Sequence, residues 1–174
     1  MKFSLRPYVP ADFETLYEID QLCYPPEIAY SRRELRNYLR FPGADCVIAK
    51  SGSEIIGFCI TAHLRAEGYI ITMDVLEAHR RRGVATALLV EAERRLAQQG
   101  VSEVGLETAT DNDSAIAFWQ KHGYRRRGVR KHYYPGGRGG DERMAPEFLA
   151  SMHVGDVALD QPEPRALDGV MQRE

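Results

Sequence analysis

The residues YIITMDVLEAHRRRGVATALLVEAERRLAQQG, 69–100, change midway from a pattern typical of a β-strand to one typical of an α-helix. The first eight are rich in β-branched and other apolar side chains, which favour a strand. From Val84 onward apolar residues recur at helical spacing, for example at Leu88 and Ala92, and Gly100 is the kind of residue on which helices commonly end. The sequence therefore predicts a strand, a short turn and a helix in succession.

The predicted turn carries four potential cations, His79 to Arg82, followed by Gly83. A glycine at this junction lets a ligand approach the backbone closely. The first turn of a helix has N–H groups without intrahelical partners, and the helix dipole places its positive end there. These features predict an anion site built mainly from main chain. The turn lacks both G-x-G-x-x-G and G-x-x-x-x-G-K-[ST], so it is neither of those nucleotide-binding loops.

The whole chain of 174 residues, 44% hydrophobic and 28% charged, is long enough for one well-buried domain and has the composition of a soluble globular protein. Its formal net charge of −2 argues against a nucleic-acid partner. No apolar run approaches the roughly 20 residues of a membrane-spanning helix, and the start of the chain lacks the apolar core of a signal peptide. We therefore expect a cytoplasmic protein that binds neither nucleic acid nor membranes.

The cysteines and histidines show no pattern of a disulfide framework or a metal site. Cys23, Cys46 and Cys59 are odd in number and scattered, which is typical of reduced core residues. The five histidines have no ligand spacing. No metal is therefore predicted.

The remaining sequence predicts a mixed α/β domain over residues 1–150 and a polar, acidic tail over residues 151–174. Hairpin connections make three central strands antiparallel, whereas the strand after the central helix should be parallel to the strand before it. In chain order we predict a strand at 2–7, helices at 10–24 and 31–39, strands at 45–50, 54–64 and 69–76, the helix at 84–100, a strand at 101–108, a helix at 112–122, and strands at 124–134 and about 142–148.

Several motifs resemble one family. RRRGVA, residues 80–85, resembles the acetyl-coenzyme A signature (R/Q)-x-x-G-x-(G/A) of the GNAT N-acetyltransferase superfamily. NDSAIAFWQKHGY, residues 112–124, resembles that family's N-x-x-A-x-x-(F/L)-Y-x-x-x-G-F segment. RKHYYP, residues 130–135, resembles the (R/K)-x-x-Y-Y segment of its RimI-like and NatE-like N-terminal acetyltransferases. The similarity covers residues 2–148 and includes the order of elements. It implies the GNAT fold, in which a mostly antiparallel, seven-stranded central sheet is flanked by about four helices on both faces.

The resemblance implies that the protein transfers an acetyl group from acetyl-coenzyme A (acetyl-CoA) to a primary amine. The backbone of the strand before the turn would hold the pantetheine arm, and the N–H groups of the turn would hold the pyrophosphate. The residues implied in cofactor binding are Met73, Asp74, Val75, Arg80, Arg81, Arg82, Gly83, Val84, Ala85, Thr86, Asn112, Ala115, Phe118 and Trp119.

Three residues are implied in the chemistry. Glu107 matches the general-base glutamate of the RimI-like enzymes, the Val75 backbone N–H matches the oxyanion donor, and Tyr69 matches a tyrosine implicated in catalysis and substrate binding. The implied acceptor is the N-terminal α-amine of a peptide or protein, and no metal is implied. The residues implied in the substrate cleft are Tyr24, Pro25, Tyr69, Tyr133 and Tyr134.

Trp119 departs from the family, which usually has a tyrosine there that protonates the leaving thiolate. Indole offers one N–H donor and no proton that titrates in the useful range, so we expect a packing and cofactor-contact role. The departure motivates an alternative, a coenzyme A-binding module without catalysis, whereas Glu107 and Tyr69 favour the enzyme. A small-molecule or lysine amine is the alternative acceptor.

Some of these residues have a second interpretation that the sequence leaves open. Glu107 also suits a solvated or ion-paired carboxylate, and the tyrosines also suit core positions. The loop 23–30 suits a connector packed on the core as well as a wall of the cleft, and Arg80 to Arg82 also suit solvated charge. The sequence makes no prediction of oligomeric state.

Overall fold

The computed structural model describes residues 2–130 and 147–153, and only the backbone of 128–130 and 147–153. Its helices are α1 (Phe13–Cys23), α2 (Arg32–Leu39), α3 (Val84–Gln98) and α4 (Asp113–Lys121). Its strands are β1 (Ser4–Pro7), β2 (Asp45–Ser51), β3 (Glu54–Leu64), β4 (Glu67–Val75), β5 (Glu103–Ala109), β6 (Arg125–Arg130) and β7 (Glu147–His153). Single 3-10 turns precede α1 at Pro10–Asp12 and follow β4 at Glu77–His79.

The strands form one seven-stranded sheet in the order β1-β2-β3-β4-β5-β7-β6. Among the described pairs of neighbouring strands, only β4 and β5 run parallel, and they are joined through α3, as the strand–helix–strand pattern predicted. The other five pairs of neighbours are antiparallel. The predicted sheet of seven mostly antiparallel strands is confirmed.

Helices cover both faces of the sheet, because apolar side chains alternate along the central strands and fill two separate clusters. One face packs against α3 and α4, and this cluster includes Leu88, Leu106 and Trp119. The other face packs against α1 and α2, with Leu16 and Phe58 in its cluster. In the following text these are called the α3 face and the α1 face.

Local signals place the helix ends as the sequence predicted. The Ser31 and Glu34 side chains each bond to the other residue's N–H and form the capping box of α2. The Asn112 Oδ1 accepts the Ala115 N–H at 3.1 Å and caps α4. Gly100, which follows α3, has a φ of 81°, in the left-handed region that glycine favours.

The last strand extends past its predicted end at about 148. It includes Glu147–His153 and pairs with both β5 and β6, so three residues of the predicted tail belong to the sheet. The first part of the predicted strand, 142–146, lies outside the described residues. The rest of the predicted tail, 154–174, lies outside the described residues.

Among the described residues, no helix combines the length and apolarity that crossing a bilayer requires.

Candidate active site

The sheet opens between its two parallel strands. β4 and β5 pair only over Glu67–Ile70 and Glu103–Leu106. Beyond this point β4 continues to Val75 against β3, and β5 continues to Ala109 against β7. The two strands therefore diverge, and we call the gap between residues 71–75 and 107–109 the β4–β5 opening.

A bulge in β4 lies where the opening begins. Ile60 of β3 pairs with Thr72 and Thr61 pairs with Ile70, which leaves Ile71 as an extra residue. The Tyr30 hydroxyl donates to the Ile71 carbonyl at 3.3 Å. Such bulges bend a strand, re-aim its side chains and are common next to active sites.

The main chain of β4 past the bulge faces the opening. The Leu76 N–H donates to the Ile56 carbonyl at 3.0 Å, and Val75 pairs with Gly57. Hydrogen-bonded and non-bonded pairs alternate in an antiparallel ladder, so Val75 and Met73 direct their N–H and C=O groups away from β3. The Val75 N–H, the predicted oxyanion donor, is thereby aimed at the opening.

The turn from β4 to α3 presents a series of N–H groups. Arg81 and Gly83 have φ values of 59° and 84°, and left-handed residues within such a turn make concave arrangements of N–H groups that bind anions. The first intrahelical bond of α3 runs from the Ala87 N–H to the Gly83 carbonyl, so the three preceding N–H groups have no partner within the helix. A Cβ on Gly83 would meet no atom within 4 Å, so the space in front of the turn is open.

The three predicted arginines differ in position. The Arg80 Nε donates to the Val75 carbonyl at 2.9 Å, so this side chain ties the end of β4 to the turn. All three residues are exposed. An anion at the turn would meet their guanidinium groups and the main-chain donors.

The four predicted cofactor residues around α4 take part in packing and capping. Trp119 is 7% exposed, and its ring meets those of Phe118 and Tyr124 edge-on at centroid distances of 5.0 and 5.3 Å. Ala115 and Phe118 pack against the α3-face cluster, and Asn112 caps the helix. The packing role of Trp119 agrees with the expectation, and its contact with the cofactor stays a prediction.

Tyr69 and Glu107 lie on the α1 face beside the opening. Ile70, Val104 and Leu106 point into the α3-face cluster, so the residues that alternate with them face the other way. Tyr69 pairs with Gly105, and Glu107 is two residues further along the same face of β5. Tyr69 is 38% exposed. The structure therefore brings two predicted catalytic residues to one side of the sheet.

A buried polar chain lies under the loop that follows α1. Asp74 is 1% exposed, and its Oδ1 accepts the Thr72 hydroxyl at 2.8 Å. The Tyr24 hydroxyl lies 3.4 Å from the Thr72 oxygen. Burial raises the pKa of Asp74 to about 7, although the Thr72 and Tyr24 hydroxyl groups partly offset this effect.

A second buried carboxyl group holds the same loop. The Asp20 Oδ2 accepts the Tyr30 N–H at 2.8 Å and the Gln21 amide at 3.0 Å. Burial raises the pKa of Asp20 to about 6. Since Tyr30 also bonds to the bulge at Ile71, the loop 24–30 is fastened to α1 and to β4.

The family is decided by comparison with known proteins. Residues 13–124 match the model of the acetyltransferase (GNAT) family. The chain belongs to the GNAT acetyltransferase family. It is an acetyl-CoA-dependent acetyltransferase, and the resemblance found in the sequence is confirmed.

Two relatives and one solved structure show how similar this acetyltransferase is to characterised proteins. It is 26% identical to an N-alpha-acetyltransferase from Sulfurisphaera tokodaii, covering 83% of this chain and 93% of the relative. It is 28% identical to a ribosomal protein bS18-alanine N-acetyltransferase from Haemophilus influenzae, covering 75% of this chain and 87% of the relative. The crystal structure of the ribosomal-protein-S18-alanine N-acetyltransferase from Escherichia coli superposes with a TM-score of 0.76 at 20% identity, covering 87% and 94% of the two chains.

The turn before α3 fits an anionic group such as the pyrophosphate of acetyl-CoA. The space at Gly83 is open, three N–H groups at the start of α3 have no partner within the helix, and the arginines of the turn are exposed. No group of three or more His, Cys, Asp and Glu side chains among residues 2–130 could hold a metal ion.

Two predicted site residues lie outside the described part of the chain, and two buried carboxyl groups at the site were not predicted. Tyr133 and Tyr134 lie outside the described residues, whereas Tyr24 lies beside β4, as a wall of the cleft requires. Sequence reasoning overlooked Asp20 and considered Asp74 only as part of the strand's backbone. A signal existed for both, because each is a carboxylate inside an otherwise apolar pattern, Ile19-Asp20 in α1 and Met73-Asp74-Val75 in β4.

Proposed function

We propose that this acetyltransferase acetylates the N-terminal α-amine of a peptide or protein. The observation that carries the proposal is the placement of Tyr69 and Glu107 on the α1 face, opposite the anion turn of α3. In this proposal acetyl-CoA binds on the α3 side of the β4–β5 opening and the acceptor amine binds on the α1 side. The names of two curated relatives, which are N-terminal acetyltransferases, point to the same acceptor.

The proposed reaction has three requirements, and groups at the opening are proposed to meet the first two. The amine must be neutral when it attacks the thioester carbonyl, and Glu107, acting through a water molecule, is the group proposed to take its proton. The carbonyl oxygen becomes negative as the bond forms, and the Val75 N–H is the proposed donor to it. The coenzyme A thiol then leaves; if it behaves like cysteine, with a pKa of about 8.5, it needs little help near neutral pH.

An α-amine suits this site better than a lysine amine. The pKa of an α-amine is about 7.7–8.0 and that of lysine is about 10.4, a difference worth about 3.5 kcal/mol in deprotonation. A single carboxylate that acts through water deprotonates the first far more easily. The loop 24–30, fastened to α1 and β4, offers a fixed wall along which an extended peptide can lie.

The test is the rate of acetyl-CoA turnover across a library of short peptides with free N-termini. Each peptide is paired with a control that has the same sequence, a blocked N-terminus and one internal lysine. We expect turnover of some free-N-terminus peptides and little turnover of their blocked partners. Faster turnover of blocked lysine peptides, or of an aminoglycoside, than of every free N-terminus would overturn the proposed acceptor.

A further inference from the structure

The Asp74 carboxyl group is only partly satisfied, although it is buried beside Val75. Its Oδ1 accepts one hydrogen bond, and its Oδ2 has no partner in the part of the chain that the structure describes. Most buried polar atoms are hydrogen-bonded, and leaving one without a partner costs about 1–3 kcal/mol. A side chain that served stability alone would gain nothing from this arrangement. Asp74 therefore calls for a functional explanation.

The hydrogen bonds of the buried polar chain run in one direction, from Tyr24 through Thr72 to Asp74. An ionised carboxylate only accepts hydrogen bonds, so the Thr72 hydroxyl gives its hydrogen to Asp74. The Thr72 oxygen is then the acceptor for the Tyr24 hydroxyl, 3.4 Å away. The hydrogens of both hydroxyl groups thus point toward Asp74. A proton that arrives at Tyr24 can be passed on by moving each hydrogen one step.

The chain runs beside the reacting position. Met73 and Val75 belong to the α3 face, so Thr72 and Asp74, which alternate with them, belong to the α1 face. This is the face on which the amine is expected. The residue before Tyr24 is Cys23, whose thiol donates to the Val75 carbonyl at 3.6 Å, so the end of α1 touches the same part of β4.

We propose that Tyr24, Thr72 and Asp74 form a proton path in which Asp74 stores the proton that the amine loses during acetyl transfer. The amine nitrogen bonds to the acetyl carbon, the carbon–sulfur bond breaks, and its electron pair leaves with sulfur. The nitrogen loses one proton to the Tyr24 oxygen as the Tyr24 proton moves to Thr72 and the Thr72 proton moves to Asp74. The thiolate afterwards takes a proton from water, and Asp74 returns its proton to water by the reverse path.

The surroundings of Asp74 suit a group that gains and loses a proton near neutral pH. Burial is the largest cause of its raised pKa of about 7, the negative charge of Asp20 on α1 raises the pKa further, and Arg80 lowers it. The Cys23 thiol of α1, the Cys59 thiol of β3 and the Tyr24 hydroxyl also lie near Asp74. Burial raises the pKa of all three groups, so they stay neutral. Proton transfer is most efficient when the pKa lies near the working pH.

Asp74 acts through Tyr24 and is therefore a positioning residue. Glu107 keeps its proposed direct role, because it takes the first proton, which the ammonium group loses before attack, whereas the proton path takes the second, which the nitrogen loses as the amide forms. The inference rests on acetyl transfer itself and holds for any amine acceptor. Its test is run with the amine that turns over best, so failure of the peptide proposal and failure of the proton path give separate results.

The experiment compares kcat from pH 5.5 to 9 at saturating substrates for the wild type, Thr72→Val, Tyr24→Phe and Asp74→Asn. Thr72→Val keeps the volume and the carboxyl group but removes the middle hydroxyl. Thr72→Ser restores that hydroxyl and is the rescue variant. Glu93→Gln is the matched control, because burial also raises the pKa of Glu93 to about 7, but Glu93 bonds to Tyr124 on the α3 face. Thermal unfolding of each variant identifies losses of folded protein.

Asp74 must be ionised to accept a proton, so kcat of the wild type should rise with a midpoint near pH 7. We expect Thr72→Val, Tyr24→Phe and Asp74→Asn each to lower kcat about tenfold or more and to remove this rise. Thr72→Ser should recover most of the loss, and Glu93→Gln should keep the wild-type profile. A folded Thr72→Val variant with the wild-type kcat and midpoint would overturn the proposal, and so would loss of the same rise in Glu93→Gln.

Discussion

On the α3 side of the β4–β5 opening the polar groups belong mainly to the main chain, whereas on the α1 side they belong to side chains. The turn before α3 offers N–H groups of consecutive residues, shaped by Arg81 and Gly83. The α1 side gathers Asp20, Asp74 and Glu107 from one helix and two strands. Main-chain donors suit an anion that must only be held. Side chains with adjustable pKa values suit proton transfer. The comparison predicts that substitutions on the α3 side change affinity, and that those on the α1 side change rate.

The largest effect is expected for Glu107→Gln, which keeps the shape of the side chain but removes its basic group. General-base catalysis contributes about 10²–10⁴-fold, so kcat should fall by roughly that factor. The KM for acetyl-CoA should stay within a few-fold, because the donor is proposed to bind on the α3 face. Steady-state kinetics measure both constants. A rise in this KM with an unchanged kcat would show that the two sides do not divide affinity and rate.

The next effect is on stability, through the raised pKa of Asp74. In the unfolded chain this carboxyl group has its ordinary pKa of about 3.9 and is ionised above that pH. In the folded protein it stays protonated until the pH approaches 7, so the two states bind different numbers of protons between these values. Its stabilising contribution is complete below pH 4 and is lost as the pH rises toward 7, by at most about 4 kcal/mol.

Urea unfolding at pH 5 and pH 8 measures this contribution. The free energy of unfolding of Asp74→Asn, relative to that of the wild type, should increase from pH 5 to pH 8. An unchanged difference would show that Asp74 is not held protonated, which would remove one support of the contrast between the two sides.

On the α3 side, Gly83→Ala should raise the Kd for acetyl-CoA about tenfold, equivalent to about 1.4 kcal/mol. The added Cβ enters the open space in front of the turn. Alanine is preferred to valine, because a β-branched residue at a φ of 84° is a severe outlier. Calorimetric titration measures the Kd.

Gly100→Ala is the control, since Gly100 has a φ of 81° and equally open surroundings at the far end of α3. It should carry the same backbone strain and leave the Kd unchanged. Equal affinities for Gly83→Ala and the wild type would remove the turn from the donor site.

The smallest effect is expected for Trp119→Phe. A smaller ring at this 7% exposed position should lower the free energy of unfolding by about 1–3 kcal/mol and weaken acetyl-CoA binding a few-fold. Most of kcat should remain, because indole cannot supply the proton that a tyrosine could. Trp119→Tyr sharpens the test. If Trp119→Phe lowered kcat as much as Glu107→Gln and Trp119→Tyr restored it, position 119 would act in proton transfer.

The two sides of the opening also differ in how much of their structure could be predicted from the sequence. The α3 side depends on residues that are close in the chain, so Gly83 and the periodicity from Val84 were enough to predict the turn and the helix. Asn112 and the capping box at Ser31 were predicted for the same reason. Local signals of this kind do not depend on tertiary packing.

The features that the sequence did not predict arise from pairing between distant segments. The bulge at Ile71 exists only in the register between β3 and β4. The chain from Tyr24 to Asp74 joins residues 50 positions apart, and the sequence near Asp74 does not show which residues its carboxyl group contacts. The end of β7 at His153 depends on its pairing with β5 and β6.

The most direct test of the proposed function uses one peptide that carries both a free N-terminal amine and an internal lysine. The peptide is incubated with acetyl-CoA and the enzyme, and mass spectrometry locates the acetyl group after fragmentation. Acetylation of the N-terminal nitrogen, with the lysine unmodified, is the predicted result. Acetylation of the lysine with a free N-terminus would contradict the account.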